Sequence, residues 1–229
     1  MAHQPGSSGM ALVARALVVP LLKLAWWIPT RWQQGEQHTL AMQTTSDPTV
    51  RAQQARAALA AFQAAERRAA SGRHTLRRQL LRAAHLPSMA AAALEASDLD
   101  AAAAYAQQML AAGMGPSRPD AWNAGNLLHH GHITLGRLAL LGGDVDSAAE
   151  HLLRAGSTWG SPQLDSFGPD LNLADQLLAR GRTDTVVDYL QRCQQVWKLG
   201  GDRLERWIIE IHAGHRPTLD PFHGQTDSP

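Results

Sequence analysis

The sequence predicts an all-α fold of stacked antiparallel helix pairs with an apolar helix at the N-terminus, and three observations carry that expectation. Runs such as AALAAFQAA and MAAAALEASDLDAAAAYAQQML are rich in Ala, Leu and Gln, while aromatic residues make up only 5% of the chain, so the summed propensity favours helix. Apolar residues recur at spacings of three and four, the period of one helix face. One local pattern, a helix end followed by a turn and a second helix, occurs three times. No stretch reads convincingly as a strand.

At 229 residues and 45% hydrophobic composition, the chain is long enough to bury a sizeable core. Its one cysteine, Cys193, excludes an internal disulfide and a Cys-rich zinc site. The net charge of +1 conceals an asymmetry. Residues 1–94 carry eleven Lys and Arg against three Asp and Glu, and residues 95–229 carry ten against seventeen. A basic arm of this kind suits an anionic surface, and two oppositely charged halves also suit each other. No zinc-finger spacing, aromatic RNA-binding signature or compelling helix-turn-helix accompanies the charge, so sequence-specific nucleic-acid recognition is not expected.

Residues 1–48 form the first region: a flexible start over 1–9, an apolar tryptophan-rich helix over 10–32, and a polar linker over 33–48. Arg15, Pro20 and Lys23 interrupt the apolar stretch, and Trp26, Trp27 and Trp32 close it. Charges within so short a span argue against a simple transmembrane helix, leaving a docked helix, a membrane-interface anchor or a targeting signal. Residues 49–86 read as a basic helical segment. Its first helix starts at Ser46 or Asp47 ahead of Pro48 and buries Ala55, Leu59, Phe62 and Ala65. Its second, RHTLRRQLLRAAHLP, ends at the proline.

Residues 87–214 contain the repeat. LEASDLDAAAAYAQQM (94–109), LLGGDVDSAAEHLLRA (140–155) and LARGRTDTVVDYLQRC (178–193) align at offsets of 46 and 38 residues. The middle unit resembles a tetratricopeptide repeat through Leu135, Gly136 and Ala139 on its first helix, Gly143 and Asp144 at its turn, and Ala148, Leu152 and Ala155 on its second. The flanking units keep only small or apolar character, with Ala90 and Ala174 at the position of Gly136, Ala102 and Val186 at that of Ala148, and Met109 and Cys193 at that of Ala155. The resemblance spans about residues 88–196. It implies a short α-solenoid in which the first helix of each pair lines a concave groove. A last helix, 202–213, carries Leu204, Trp207, Ile208 and Ile211 as a capping stripe, and residues 215–229 read as a loosely held tail.

Three histidines open the middle unit. At about 100° per residue His129 and His132 lie roughly 60° apart and His130 points elsewhere, so the three cannot share one ion. His132 falls on the packing side and is expected to be hydrogen-bonded to a neighbour. Asn123, Asn126, His130, Thr134 and Arg137 fall on the opposite side as a polar row, flanked by Ile133 and Leu141. If that side lines the groove, Asn123, Asn126, His130 and Arg137 would hold a peptide or protein partner by hydrogen bonds and charge, and Ile133 and Leu141 would add apolar contact.

The connector 157–170 carries Trp159, Leu164 and Phe167, expected to tuck inward, with Asp165 or Ser166 near the next helix start. The resulting expectation is a non-catalytic scaffold without cofactor or metal, cytoplasmic or attached peripherally to a membrane through residues 10–32. Self-association through exposed repeat ends stays open. The alternative is a small metal-dependent or hydrolytic enzyme centred on His129, His130 and His132, with the connector bringing Asp165 and Ser166 to His130.

Overall fold

The computed structural model describes residues 30–70, 75–114, 121–200 and 202–219. Ten α-helices occur among them: α1 (Thr30–Thr44), α2 (Pro48–Ala70), α3 (Thr75–Glu95), α4 (Leu99–Met114), α5 (Ala124–Leu141), α6 (Val145–Gly156), α7 (Pro162–Phe167), α8 (Asn172–Leu178), α9 (Thr183–Val196) and α10 (Arg203–His212). No strand occurs among the described residues. Helices consecutive in the chain pack in pairs, α1 with α2, α3 with α4, α5 with α6 and α8 with α9, and pairs touch through α4 with α5 and α6 with α9. This all-α arrangement of adjacent pairs is compatible with a helical repeat.

The three aligned segments adopt one turn. In each, a residue in the left-handed region follows the first helix: Ser97 (φ 62°), Gly143 (φ 83°) and Gly181 (φ 76°). The next N–H then reaches back five residues, from Asp98 to the Ala93 carbonyl, Asp144 to Ala139 and Arg182 to Leu177, at 2.9, 2.9 and 3.0 Å. These bonds satisfy carbonyls that the helix end leaves open. Asp98 and Asp144 then cap the second helix, accepting from the Ala101 and Ser147 N–H groups at 3.1 and 2.9 Å. Arg182 stands at the third cap and makes no such bond. The aligned small or apolar positions (90, 102 and 109; 136, 148 and 155; 174, 186 and 193) are all buried. At Gly136 an added Cβ would lie 2.3 Å from Leu173 Cδ2, so the missing side chain is what admits α8.

Three expectations are corrected. The supposed linker 33–48 is mostly helix: α1 buries Trp32, Thr39 and Met42 along one side, and its Gly35 lies flat against Phe62. The boundary at 86/87 does not exist, because α3 runs through Pro87 to Glu95. Proline removes one helical hydrogen bond and crowds the preceding turn. Buried Leu86, Met89, Ala90 and Ala93 on both sides of it hold the helix on course. The tail is docked as far as Leu219, which is 8% exposed. Asp47 is the start of α2, accepting from the Thr49 and Val50 N–H groups at 2.8 and 3.2 Å.

No helix among the described residues is long and apolar enough to cross a membrane. The apolar stretch 10–29 lies outside the described residues.

Candidate functional site

The polar row of α5 begins at Asn123, whose position just before the helix makes it the cap residue. Asn123 is 3% exposed and its Oδ1 accepts no hydrogen bond. Asn126 and His130 are partly exposed, Thr134 is buried, and Leu141 stands 64% exposed at the end of the helix. Ile133 is 2% exposed and belongs to the apolar core with Leu152, Leu173 and Tyr189. The structure therefore brings Asn126, His130 and Arg137 to one partly open side, and withdraws Asn123 and Ile133 from it.

Arg137 is already engaged. Its Nη2 donates to Glu95 Oε1 at 2.7 Å, joining α5 to the end of α3. Asp170, at the end of the 157–170 connector, is the carboxylate that interacts with His130. Burial pushes its carboxyl up, but His130, the Asn172 N–H, Arg137 and His129 together outweigh this and hold it below the usual carboxylate range. Its Oδ1 accepts from the Asn172 N–H at 2.9 Å and the Asn172 amide at 2.7 Å, so the same carboxylate starts α8. The row thus meets two carboxylates, Glu95 at Arg137 and Asp170 at His130.

His129 lies under this row, 1% exposed. Its Nδ1 donates to the Ala155 carbonyl at 3.1 Å, and its Nε2 accepts from the Asp170 N–H at 3.0 Å. That pairing needs a neutral ring with the proton on Nδ1. Burial, followed by the neighbouring His130, lowers its pKa to about 3. Tyr189 stacks beside it, centroids 6.4 Å apart, and donates its hydroxyl to the Asp170 carbonyl at 3.0 Å. The histidine therefore fixes the connector by reading its backbone.

A second device seats the same connector. An added Cβ on Gly125 would lie 1.8 Å from the Gly160 carbonyl oxygen, so the connector crosses α5 at backbone contact. Gly125 was readable as a helical glycine with no turn to justify it, which is the signal of a close approach.

His132 is partly buried and shares a hydrogen bond with His151, Nδ1 to Nδ1, at 3.1 Å. Burial, then His151 and Arg154, lowers His132 to about 4; burial, then Arg154, lowers His151. Two protonated rings cannot keep that bond. Among the described residues no group of three or more His, Cys, Asp or Glu is placed to hold a metal ion.

The connector does not carry Asp165 and Ser166 to His130. Asp165 Oδ1 accepts from the Lys198 N–H at 3.1 Å, and Ser166 is exposed. The residue brought to His130 is Asp170. Of the three large apolar side chains, Leu164 is buried, Phe167 is partly so and Trp159 is 57% exposed. Ser161 caps the short α7 and Pro162 occupies its first turn, which turns Leu164 inward and leaves Trp159 ahead of the helix. Burial pushes the Cys193 thiol up to about 12, which keeps it protonated rather than nucleophilic.

A cluster that sequence reasoning missed lies in the first region. His85 Nδ1 bonds Glu36 Oε1 at 2.7 Å, Ser88 Oγ donates to Glu36 Oε2 at 3.2 Å, and the His85 ring stacks on Trp32 at 4.8 Å. Serine and histidine both bond the carboxylate and not each other, so the trio clamps α1 to α3 without activating the serine.

No family model, curated protein or solved structure matches the chain.

Proposed function

We propose that the chain is a non-catalytic scaffold for a peptide or protein partner, built from tetratricopeptide-like hairpins in a short solenoid. The observation that supports this most is the recurrence of one turn, with its left-handed residue at 97, 143 and 181, joining three hairpins that pack side by side. Quasi-equivalent units make an extended surface, and such surfaces serve recognition.

In this reading the contact residues are Asn126, His130, Arg137 and Leu141, while Asn123 and Ile133 support them from within. Asn126 pairs with a peptide backbone and Leu141 takes an apolar side chain. An acidic group on the partner is held by Arg137 only where it replaces Glu95, so amide-rich or uncharged segments are preferred over strongly acidic ones. The test is binding of a peptide array to immobilised wild type, Asn126→Asp and Leu141→Asp. The expected result is at least about a tenfold loss of capture in both variants with thermal midpoints little changed. Capture that survives both substitutions contradicts the reading.

A further inference from the structure

After α10, Gly214 (φ 79°) and a bond from the His215 N–H to the Glu210 carbonyl at 2.9 Å turn the chain sharply. Residues 215–219, HRPTL, have no helical or strand pairing and return to α8. Arg216 and Thr218 are exposed while Pro217 and Leu219 are buried, the alternation of an extended peptide lying on a surface. Arg216 Nη2 donates to both carboxylate oxygens of Asp175, at 3.1 and 3.2 Å. Leu219 joins the apolar cluster of Leu171, Leu173, Trp207 and Ile211. A cleft of about 370 Å³ stays open alongside, lined by Leu171, Asn172, Asp175 and the segment itself.

The way this segment is held is the way an extended ligand is held. It has two apolar anchors, one charge contact and no pairing of its own backbone with a neighbouring strand. The charge contact is open to water, Arg216 and Asp175 being 56% and 45% exposed, and such pairs hold weakly. The place is also significant. α8 is the first helix of the third pair, and Asn172 at its start bonds Asp170, the carboxylate that faces His130 and Arg137. The segment therefore lies on the helix whose start is tied, through Asn172 and Asp170, to the α5 row.

We propose that residues 215–219 are a tethered ligand: the α8 face is a binding site for an extended Arg-Pro-Xaa-Leu peptide of another protein, and the chain's own tail blocks it in cis. This rests on the reading of the helix pairs as a peptide-binding array. It adds the partner's chemistry, a basic residue for Asp175 and a proline and a leucine two residues apart for the apolar floor, and it adds regulation, since a partner must compete with the tether. A tethered segment competes at an effective concentration on the order of millimolar, so the intact chain masks its own site.

The experiment uses the full chain in three forms: wild type, a released form carrying Arg216→Glu and Leu219→Asp, and the released form with Asp175→Arg added. The probe is a fluorescein-labelled peptide spanning residues 213–222, read by anisotropy, with circular dichroism on each protein. The released form is expected to keep its helices and to bind the peptide at least about tenfold more tightly than wild type, with binding lost on Asp175→Arg or when the peptide's leucine is replaced by Asp. A released form that is folded yet binds no better than wild type overturns the proposal. So does a released form that loses helicity cooperatively, which would make the segment part of the core. Capture that depends on Asn126 and Leu141 while this peptide fails to bind removes only the tethered-ligand inference and leaves the scaffold standing.

Discussion

The interior around α2, α3 and α4 sets many alanines, Ala58, Ala65, Ala90, Ala93, Ala102 and Ala106 among them, around the large side chains of Trp32, Phe62, Met89 and Met109, whereas around α6, α8 and α9 alanine is sparse and Leu152, Leu173, Leu177, Tyr189 and Leu190 predominate. Both interiors exclude water by different means. Alanine brings little apolar area to each contact but lets helix axes approach, so the first region relies on long helices of 15 to 23 residues and on the Glu36–His85–Ser88 clamp. The second region uses helices of 6 to 14 residues and fills the space with large side chains. The alanine contacts of the first interior have no room to add atoms, and the leucine contacts of the second cannot lose them.

That contrast is broken most directly by truncation in the second region. Leu152→Ala or Leu177→Ala, both at fully buried positions, is expected to cost about 2–5 kcal/mol in urea unfolding. A loss below about 1 kcal/mol would mean that the leucine interior collapses to fill the gap. The converse substitutions, Ala90→Leu and Ala102→Leu, crowd the alanine interior and are expected to cost about 1–3 kcal/mol. Their being neutral would show that α3 and α4 are not tightly apposed.

Acid separates the regions by another route. His129, His130, His132 and His151 belong to the middle hairpin, and burial lowers the pKa of each. A histidine whose folded pKa lies below its unfolded value leaves the unfolded chain holding more protons. The stability it gives is present above about pH 6.5 and is lost as pH falls toward the folded values, about 3 for His129 and about 4 for His132. For fully buried His129 the loss is on the order of 1–2 kcal/mol between pH 6.5 and 5. Urea midpoints at pH 7 and pH 5 check this, and His129→Gln is expected to flatten the dependence. Equal midpoints would mean that these rings already carry protons in the fold. The smallest effect is at the surface: Arg182→Ala removes the exposed Arg182–Asp146 pair and is expected to change stability by less than about 1 kcal/mol.

The hairpins were legible because their signals are local. A Gly in two of the three turns, the acids at 98 and 144 and small residues on the facing helices all lie within twenty-residue windows. Helix α1 was missed because Gln and Thr make up seven of its fifteen residues, although Trp32, Thr39 and Met42 keep helical spacing. The break at Pro87 was misjudged because local chemistry stops a helix there, while packing along its whole face carries it through. At the candidate site, spacing placed Asn126, His130 and Arg137 on one side. It could not show that Glu95, 42 residues away, occupies Arg137, or that Asp170, not Asp165, comes to His130. The first partner depends on how α3 lies against α5 and the second on how the connector crosses Gly125, tertiary contacts that no window contains.

The three turns carry the central claim that residues 94–109, 140–155 and 178–193 are one structural unit. Gly143 and Gly181 have open space where a Cβ would stand, so substitution there reports backbone conformation alone, and Ser97 bears the strain its counterparts avoid. Equilibrium unfolding of Ser97→Gly beside Gly143→Ala and Gly181→Ala is the direct measurement. The account predicts opposite signs, a gain of up to about 1 kcal/mol for Ser97→Gly and losses of about 1 kcal/mol for each alanine. A loss at Ser97→Gly, or no loss at either glycine, would contradict it.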